Sequence, residues 1–391
     1  MIETEPGLDT AEDLLAALLT GTVEALDIPP ELADEAYRQY KAVGTFLNNH
    51  GDAVGEAPWD IYAQGSFRLG TVVSPAHDGG HYDIDLVCLR PIEKTSTSQA
   101  QLKAEAGTAL KRYIRTIDGV TTDEAGRCWT LDYRDLAFHM DVLPAIPDPE
   151  GSRTGILLTD RDVCLWLKSD PKAFASWFSE QQKTELMRKQ AALAEKRQST
   201  IEHVPTWQVK TTLQRSVQVL KRHRDIYFAK DPKAGPPSIL ITTLAALAYG
   251  GEQNLYEAVA MMAEVMPNHV KRDGQGWCVA NPVQPEENFA DKWRADPERQ
   301  LNFQRWIEAL KRDLLEARTG SGLDIVSESL SRSFGESPVR KSATSLGSRF
   351  RAMGEAAGLT MAGGTGILTA KTATSRPVPA HGFYGAEDPK S

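Results

Sequence analysis

The chain of 391 residues lacks any run of 18 uncharged apolar residues, and its acidic first ten residues lack the apolar core of a secretory signal. These absences predict a cytoplasmic protein without a membrane partner. Its four cysteines, Cys88, Cys128, Cys164 and Cys278, lie far apart and lack the C-x-x-C spacing of zinc and thiol-redox sites. We therefore predict four reduced thiols without a metal role.

Positive charge is also scarce, since 44 Lys and Arg stand against 53 Asp and Glu and give a net charge of −9. Proteins that follow a nucleic-acid backbone rely on clustered Lys and Arg. The acidic balance therefore argues against an extended nucleic-acid surface. A small nucleotide remains a suitable ligand, because one local basic pocket is enough to bind it.

The most informative segment is residues 64–90, QGSFRLGTVVSPAHDGGHYDIDLVCLR. It begins with Gly65-Ser66 in a turn and ends with Asp83 and Asp85 in an apolar run. Side chains alternate faces along a strand, so both carboxylates are predicted to point into one site. A divalent cation such as Mg²⁺ would offset the cost of desolvating two acids, and it also takes phosphate oxygens as ligands. The glycine-flanked turn suits a phosphate, because its backbone N–H groups can approach closely.

A third acid is available in WTLDYRDLAFHMDVLPAIPD at residues 129–148. Alternation puts His139 and Asp141 on the polar face of a strand that we predict to end at Pro144. Asp132 and Asp135 compete for the same role, but they flank a predicted turn. A D-x-D pair alone is most often an exposed turn, so the hypothesis depends on the combination of Asp141 with the earlier motif.

The remaining pattern predicts helices around a catalytic sheet. Helical periodicity covers two N-terminal segments that we expect to back the sheet, and Ser98 with Gln101 forms a predicted capping box for a further helix. The predicted helices and strands of this half are helices 10–26, 31–50 and 98–117, strands 59–63, 69–73 and 82–90, and a strand pair around 127–143. After residue 150 the composition becomes typical of helices.

A predicted helix over residues 207–228 carries Lys210, Gln214 and Lys221 on one face, and Ser238 is predicted to cap the next helix. The residues alone favour a surface lysine at Lys221 and a simple N-cap at Ser238. Their function therefore stays open at this point.

The motifs GSFRLGT, DIDL and HMDVLPAIP, with NPVQPEENFADKW at residues 281–293, resemble the polymerase-β-type nucleotidyltransferase superfamily. Within it, they resemble the cGAS/DncV-like nucleotidyltransferases (CD-NTases) of bacterial anti-phage (CBASS) systems. The resemblance covers residues 60–293 and departs in the long spacer between Ser66 and Asp83. It implies an α+β fold, in which a mixed sheet flanked by helices packs on a C-terminal helical domain, with a bilobed shape and the active site in the cleft.

The resemblance also implies an activity, the synthesis of a cyclic di- or trinucleotide from NTPs, ATP among them, with release of pyrophosphate. The product would activate an anti-phage effector. Asp83, Asp85 and Asp141 would hold two Mg²⁺ ions, with Mn²⁺ as an alternative. The implied nucleotide contacts are Gly65, Ser66, Lys221 and Ser238. The same acids would also serve a transferase acting on a small molecule or an RNA end, and a catalytically silent nucleotide-binding scaffold is a third alternative.

Three regions are predicted along the chain. Residues 1–150 form the catalytic core with its N-terminal helices, residues 151–355 form the helical domain, and residues 356–391 form a mobile tail of Gly, Ala, Thr and Ser. The resemblance implies an accessory protein that acts at this tail. Otherwise we expect a monomer.

Overall fold

The structure is a computed structural model that describes residues 11–50, 58–76, 80–161, 165–196, 209–274, 276–320, 322–355, 359–361, 368–370 and 376–377. The chain divides into two compact units. The smaller unit is Met1–Ala25 with Arg312–Ser391, and the larger unit is Leu26–Lys311. The predicted boundaries at residues 150 and 355 stay a prediction.

The helices and strands follow one another in the order α1 (Ala11–Glu24), α2 (Pro30–His50), β1 (Asp60–Ala63), α3 (Gly65–Leu69), β2 (Tyr82–Leu89), α4 (Gln99–Tyr113), β3 (Val120–Glu124), β4 (Trp129–Tyr133), β5 (Phe138–Pro147), β6 (Ile156–Leu158), β7 (Leu167–Ser169), α5 (Pro171–Glu180), α6 (Lys183–Lys196), α7 (Thr212–Tyr227), α8 (Ser238–Ala248), α9 (Leu255–Val265), β8 (Lys271–Asp273), β9 (Gly276–Cys278), β10 (Ala280–Asn281), β11 (Gln284–Asn288), α10 (Lys292–Ala295), α11 (Glu298–Thr319), α12 (Leu323–Phe334), α13 (Glu336–Glu355), β12 (Leu359–Met361), β13 (Leu368–Ala370) and β14 (Arg376–Pro377).

The larger unit is built on a mixed sheet with the order β1-β2-β5-β4-β3, and β6 and β7 extend it from β5. β2 and β5 pair in parallel, whereas the other neighbours in this sheet are antiparallel. Helices α2 and α4 cover one face. There, Ile84 and Leu86 of β2 and Met140 of β5 share an apolar core with Leu102 and Leu110 of α4. The predicted mixed sheet flanked by helices is confirmed.

Helix α4 begins at the predicted capping box. The hydroxyl of Ser98 accepts from the amide of Gln101 at 3.2 Å, and the side chain of Gln101 accepts from the amide of Ser98 at 2.9 Å. This reciprocal pair satisfies two amides that the first helical turn leaves without intrahelical partners. The helical turns continue after Tyr113 as a 3₁₀ turn to Thr116.

Two predictions about the sheet are wrong. Strand β5 continues through Pro144 to Pro147, because proline loses a donor but keeps its acceptor: the carbonyl of Pro144 accepts from the amide of Thr159 at 3.3 Å. Residues 69–73 do not form a strand. Leu69 instead ends the short helix α3, and the segment after it is irregular.

The helical part of the larger unit packs around α7. Leu213, Val217 and Leu220 form a fully buried face of α7. Trp306 of α11 is also fully buried, and its indole N–H donates to Nδ1 of His223 at 2.9 Å. A buried indole needs such a partner, so this bond fixes α11 on α7.

In the smaller unit, α1 packs on α13, whereas the sequence predicted that α1 backs the sheet. Leu15 and Leu18 lie on the buried side of α1, and helical periodicity does not identify the partner of that side. Ser342 of α13 donates to the carbonyl of Leu18 at 2.9 Å. Gly21 is required at this contact, because a Cβ there would lie 2.4 Å from Oγ of Ser342.

Three short strands, β12, β13 and β14, form an antiparallel sheet within the predicted tail. The other residues after 355 lie outside the described residues, so the mobility of the tail stays a prediction. Within the described part of the chain, no helix is long and apolar enough to cross a membrane. Cys88, Cys128 and Cys278 are free thiols, and Cys164 lies outside the described residues.

Candidate active site

The sheet face opposite α2 and α4 carries an inner polar row across three strands. In the parallel pairing of β2 and β5, Asp85 lies beside Asp141, and in the antiparallel pairing of β5 and β4, Thr130 lies on the other side of Asp141. The hydroxyl of Thr130 donates to Oδ1 of Asp141 at 2.6 Å, which orients this carboxylate. The two acids predicted from separate motifs therefore lie side by side.

The inner row concentrates negative charge in a partly buried place. Burial is the largest cause that raises the pKa of Asp85 to about 6, and the negative charges of Asp141 and Asp83 raise it further. The positive charge of Lys221 acts in the opposite direction. An ionised Asp85 is therefore costly in the protein alone, and a cation beside it would remove that cost.

An outer row lies one residue pair away on the same face. Asp83 pairs with His139 across β2 and β5, and the carboxylate of Asp83 is three-quarters exposed. Nε2 of His139 donates to Oδ1 of Asp83 at 2.7 Å, and this hydrogen bond is the largest cause that raises the pKa of His139. The sequence placed His139 on the correct face but gave it no role.

The glycine-serine turn lies against the inner row. The amide of Gln64 donates to the carbonyl of Asp85 at 2.9 Å, and Gly65 then begins α3 with a φ of +60°. A Cβ at Gly65 would lie 2.3 Å from Oδ2 of Asp85. Only glycine fits this close approach and this left-handed conformation. The carbonyl of Ser66 accepts from the amide of Thr71 at 2.9 Å and closes the turn.

The segment that follows the turn, residues 69–74, is held by α7 and the residues just before it. Because this segment has no strand partner among the described residues, its carbonyls need other donors. Side chains of α7 supply them at intervals of one helical turn. The pairs of donor and carbonyl are Gln214 with Leu69, Lys210 with Gly70, Lys221 with Thr71, Gln218 with Val72, and Arg222 with Ser74. We call this set the α7 clamp.

Lys221 is the member of the α7 clamp that also interacts electrostatically with the inner row. Its Nζ donates to the carbonyl of Thr71 at 3.0 Å and to the hydroxyl of Thr71 at 3.3 Å. Burial is the main cause that lowers its pKa to about 7; Arg224 lowers it further, whereas Asp225 and Asp85 raise it. The structure thus excludes the alternative of a surface lysine. A contact between Lys221 and a nucleotide stays a prediction.

Ser238 does not cap α8 as predicted. The N-cap is Pro237, whose backbone is extended and which makes no side-chain capping hydrogen bond, and Ser238 is the first helical residue. The Ser238 hydroxyl accepts from Nη2 of Arg224 at 3.2 Å, and Nη1 of Arg224 donates to the carbonyl of Pro236 at 2.8 Å. Ser238 therefore helps to join α8 to α7, and its predicted nucleotide contact remains untested.

The two acids of the inner row, together with Asp83 of the outer row, fit a hard divalent cation. Asp83, Asp85 and Asp141 offer carboxylate oxygens on one face of the sheet, and such cations take oxygen ligands. The raised pKa of Asp85 indicates that the protein leaves this negative charge only partly compensated. The residues present therefore fit a carboxylate metal site.

The sequence matches the family of the Second Messenger Oligonucleotide or Dinucleotide Synthetase domain (SMODS) over residues 19–182. The chain is 27% identical to a c-di-GMP synthase of Roseivirga ehrenbergii, across 98% of this chain and 100% of the relative. It is also 27% identical to the cyclic dinucleotide synthase CdnG of Bradyrhizobium diazoefficiens, across 87% of this chain and 85% of the relative.

The same fold is seen in the solved structure of the Bradyrhizobium diazoefficiens CD-NTase CdnG in complex with GTP. The TM-score is 0.68 at 24% identity, and the match covers 85% of this chain and 99% of that chain. This chain thus shares the fold of that CD-NTase, and its sequence is similar to those of the two named synthases.

Proposed function

We propose that the protein is a Mg²⁺-dependent nucleotidyltransferase that joins NTPs into a cyclic di- or trinucleotide and releases pyrophosphate. The named relatives are synthases of cyclic dinucleotides, one of them of c-di-GMP. GTP is therefore the first substrate to test, beside the ATP expected from the sequence.

The observation that carries this proposal is the meeting of two motifs at one point of the fold. Asp85 lies beside Asp141 in the sheet, and Gly65 of the glycine-serine turn approaches Oδ2 of Asp85 so closely that no Cβ fits. A phosphate bound at the turn would therefore lie next to the carboxylates. Nucleotidyl transfer needs this combination, because the reacting phosphate and the metal ligands must share oxygens.

In the reaction, the oxygen of an acceptor hydroxyl bonds to the α-phosphorus of a donor NTP. The bond between the α- and β-phosphates breaks, pyrophosphate leaves, and the hydroxyl proton passes to solvent. A further transfer within the linear intermediate closes the ring. We assign Asp83, Asp85 and Asp141 to two Mg²⁺ ions. When bound, these ions supply positive charge to the phosphates and lower the pKa of the acceptor hydroxyl.

The other residues would position the substrate. Thr130 holds the Asp141 carboxylate in one orientation, and Gly65 and Ser66 would present their backbone and hydroxyl groups to the triphosphate. The α7 clamp would act through the segment after the turn, because each carbonyl it holds restricts where the turn can move. Lys221 and Ser238 are proposed to reach the triphosphate when the nucleotide binds.

Mass spectrometry of the products tests this proposal. Purified protein is incubated with Mg²⁺ and the four NTPs, the mixture is treated with phosphatase, and the products are analysed. A phosphatase-resistant cyclic product would support the proposal, and its fragments would give the bases and the linkage. Linear products alone would contradict it.

Asp141→Asn and Asp123→Asn are the matched variants. Both replace one strand carboxylate with an amide of the same shape, but Asp123 lies exposed on the edge strand β3, where it pairs with Thr130 and β4 separates it from Asp141. We expect Asp141→Asn to lose the product and Asp123→Asn to keep it. A transferase acting on a small molecule or an RNA end would consume NTPs only after that acceptor is added, and a silent scaffold would consume none.

A further inference from the structure

The outer polar row continues into a cluster of two histidines and an acid that the proposed reaction does not use. His81, Asp132 and His139 each offer one ligand atom, and these atoms all lie within 4.8 Å of one another. The two imidazoles are partly buried and the carboxylate is about half exposed. The cluster therefore has access to solvent.

Strand pairing fixes the cluster from three separate backbone segments. Asp132 of β4 lies opposite His139 of β5, and Asp83 of β2 lies on the other side of His139. His81 precedes Asp83 by two residues and shares its face of the sheet. Nδ1 of His81 lies 3.4 Å from Oδ1 of Asp132, and the rings of His81 and His139 lie 5.4 Å apart.

Strand pairing gives Asp132 a set of neighbours that the sequence did not predict. The sequence placed Asp132 beside a turn, as a weaker competitor of Asp141 for the third acid. It is the last residue but one of β4, before that turn, and it lies in the outer row, where its neighbours are imidazoles rather than carboxylates. Its side chain therefore belongs to a different set of donors from the inner row.

We propose that His81, Asp132 and His139 form a binding site for one transition-metal ion, with Zn²⁺ as the preferred ion. Two imidazole nitrogens and one carboxylate oxygen are a donor set that suits Zn²⁺, whereas the three carboxylates of Asp83, Asp85 and Asp141 suit Mg²⁺. Water completes the coordination of a zinc site with three protein ligands. Tetrahedral ligands at bond lengths of about 2.0 Å lie roughly 3.3 Å apart. Small side-chain rotations of the exposed Asp132 and the partly buried His81 close the remaining distance.

Asp83 strengthens this assignment. A metal-bound imidazole usually donates its other ring N–H to a carboxylate, which holds the ring in place. His139 already donates to Asp83 at 2.7 Å, so one ring can serve the ion with one nitrogen and Asp83 with the other. The proposed site would therefore share a residue contact with the candidate active site, although it does not depend on the proposed reaction.

Isothermal titration of the full, untagged chain with Zn²⁺ tests the proposal. The protein is first treated with a chelator and is kept free of nucleotide at about pH 8, because protons compete with a metal ion for imidazole nitrogens. We expect one ion to bind in the wild-type protein. His81→Ala and Asp132→Asn should each weaken this binding at least tenfold, because each removes one of three protein ligands. Co²⁺ should show visible absorption bands in the wild type that both variants lose.

Two further variants locate the ion. His269→Ala removes a histidine at another place on the larger unit and should bind Zn²⁺ as the wild type does. Asp85→Asn should also keep the site, because Asp85 belongs to the inner row. Thermal unfolding shows which variants fold, and His81→Gln replaces His81→Ala if the latter does not. Wild-type affinity in a folded His81 variant, or loss of binding in Asp85→Asn alone, would overturn the proposal.

Discussion

Asp85→Asn tests whether the ionised Asp85 carboxylate destabilises the folded protein when no cation is bound beside it. The pKa of Asp85 is raised to about 6 from its usual 3.8. Each unit of pKa shift corresponds to about 1.4 kcal/mol, so the ionised carboxylate lowers the stability of the folded protein by roughly 3 kcal/mol at neutral pH. Asparagine removes this charge with almost no change of shape. In the absence of divalent cations, we expect the variant to be about 1–3 kcal/mol more stable than the wild type at neutral pH.

The sign of the pH dependence follows from the same difference. Because the pKa of Asp85 is higher in the folded than in the unfolded chain, the folded protein binds more protons between about pH 4 and pH 6. The stability of the wild type should therefore fall as the pH rises through this window. Asp85→Asn should lose this part of the pH dependence, so the two proteins should converge near pH 4.

Thermal unfolding in EDTA at about pH 4.5 and pH 7.5 measures both effects. At the higher pH, we expect Asp85→Asn to melt a few degrees above the wild type. At the lower pH, the two proteins should have the same melting temperature. Asp123→Asn is the control and should match the wild type at both values, since its carboxylate is exposed. Mg²⁺ with GTP should raise the melting temperature of the wild type more than that of Asp85→Asn. A variant less stable than the wild type at the higher pH would refute the reasoning.

Three other predictions use the turn, the α7 clamp and the tail. Gly65→Ala should lower activity at least tenfold and stability by about 1–3 kcal/mol in an activity and unfolding assay, because a Cβ would strike Asp85 and strain a positive φ. Lys221→Met should lower kcat/KM mainly by raising KM. The wild type should become more stable as the pH rises above about 7, because the lowered pKa lets the buried Lys221 lose its proton there, and Lys221→Met should lack this gain. Asp141→Asn should instead lower kcat. Deletion of residues 364–391 removes β13 and β14, yet we expect it to leave product formation unchanged and to shift the melting temperature by no more than a few degrees, since these strands are short and the composition offers little to bury. Loss of activity would show that the segment belongs to the folded enzyme.

The position of the acids could be predicted from the sequence because alternation along a strand is local. Asp83 and Asp85 fall on the polar face of β2, and Asp141 falls on the polar face of β5, as predicted. The pairing of β2 with β5 is not local, and no residue pattern gave the register that sets Asp85 beside Asp141. The sequence analysis joined Asp141 to Asp83 and Asp85 only because the three acids and the glycine-serine turn occur together in one chain.

The partners of the acids could not be predicted for the same reason. Thr130 becomes visible only through the register of β4 and β5, and His139 contacts Asp83 only through the parallel pairing with β2. The sequence offered one signal for Thr130. If β4 and β5 form a hairpin around the predicted turn, the residue opposite Asp141 is found by counting an equal number of residues back from that turn. The α7 clamp was equally hidden, although Lys210, Gln214 and Lys221 were assigned to one face, because their acceptors lie about 140–150 residues earlier in the chain.

The ratio of pyrophosphate released to NTP incorporated into phosphatase-resistant product tests the central claim most directly. Each nucleotide of a ring contributes one phosphodiester bond, and each bond releases one pyrophosphate. With GTP or the identified NTPs, we expect one pyrophosphate for each nucleotide in the product of the wild type and no such product from Asp141→Asn. Pyrophosphate release without a phosphatase-resistant product, or an undiminished yield from Asp141→Asn, would contradict the account.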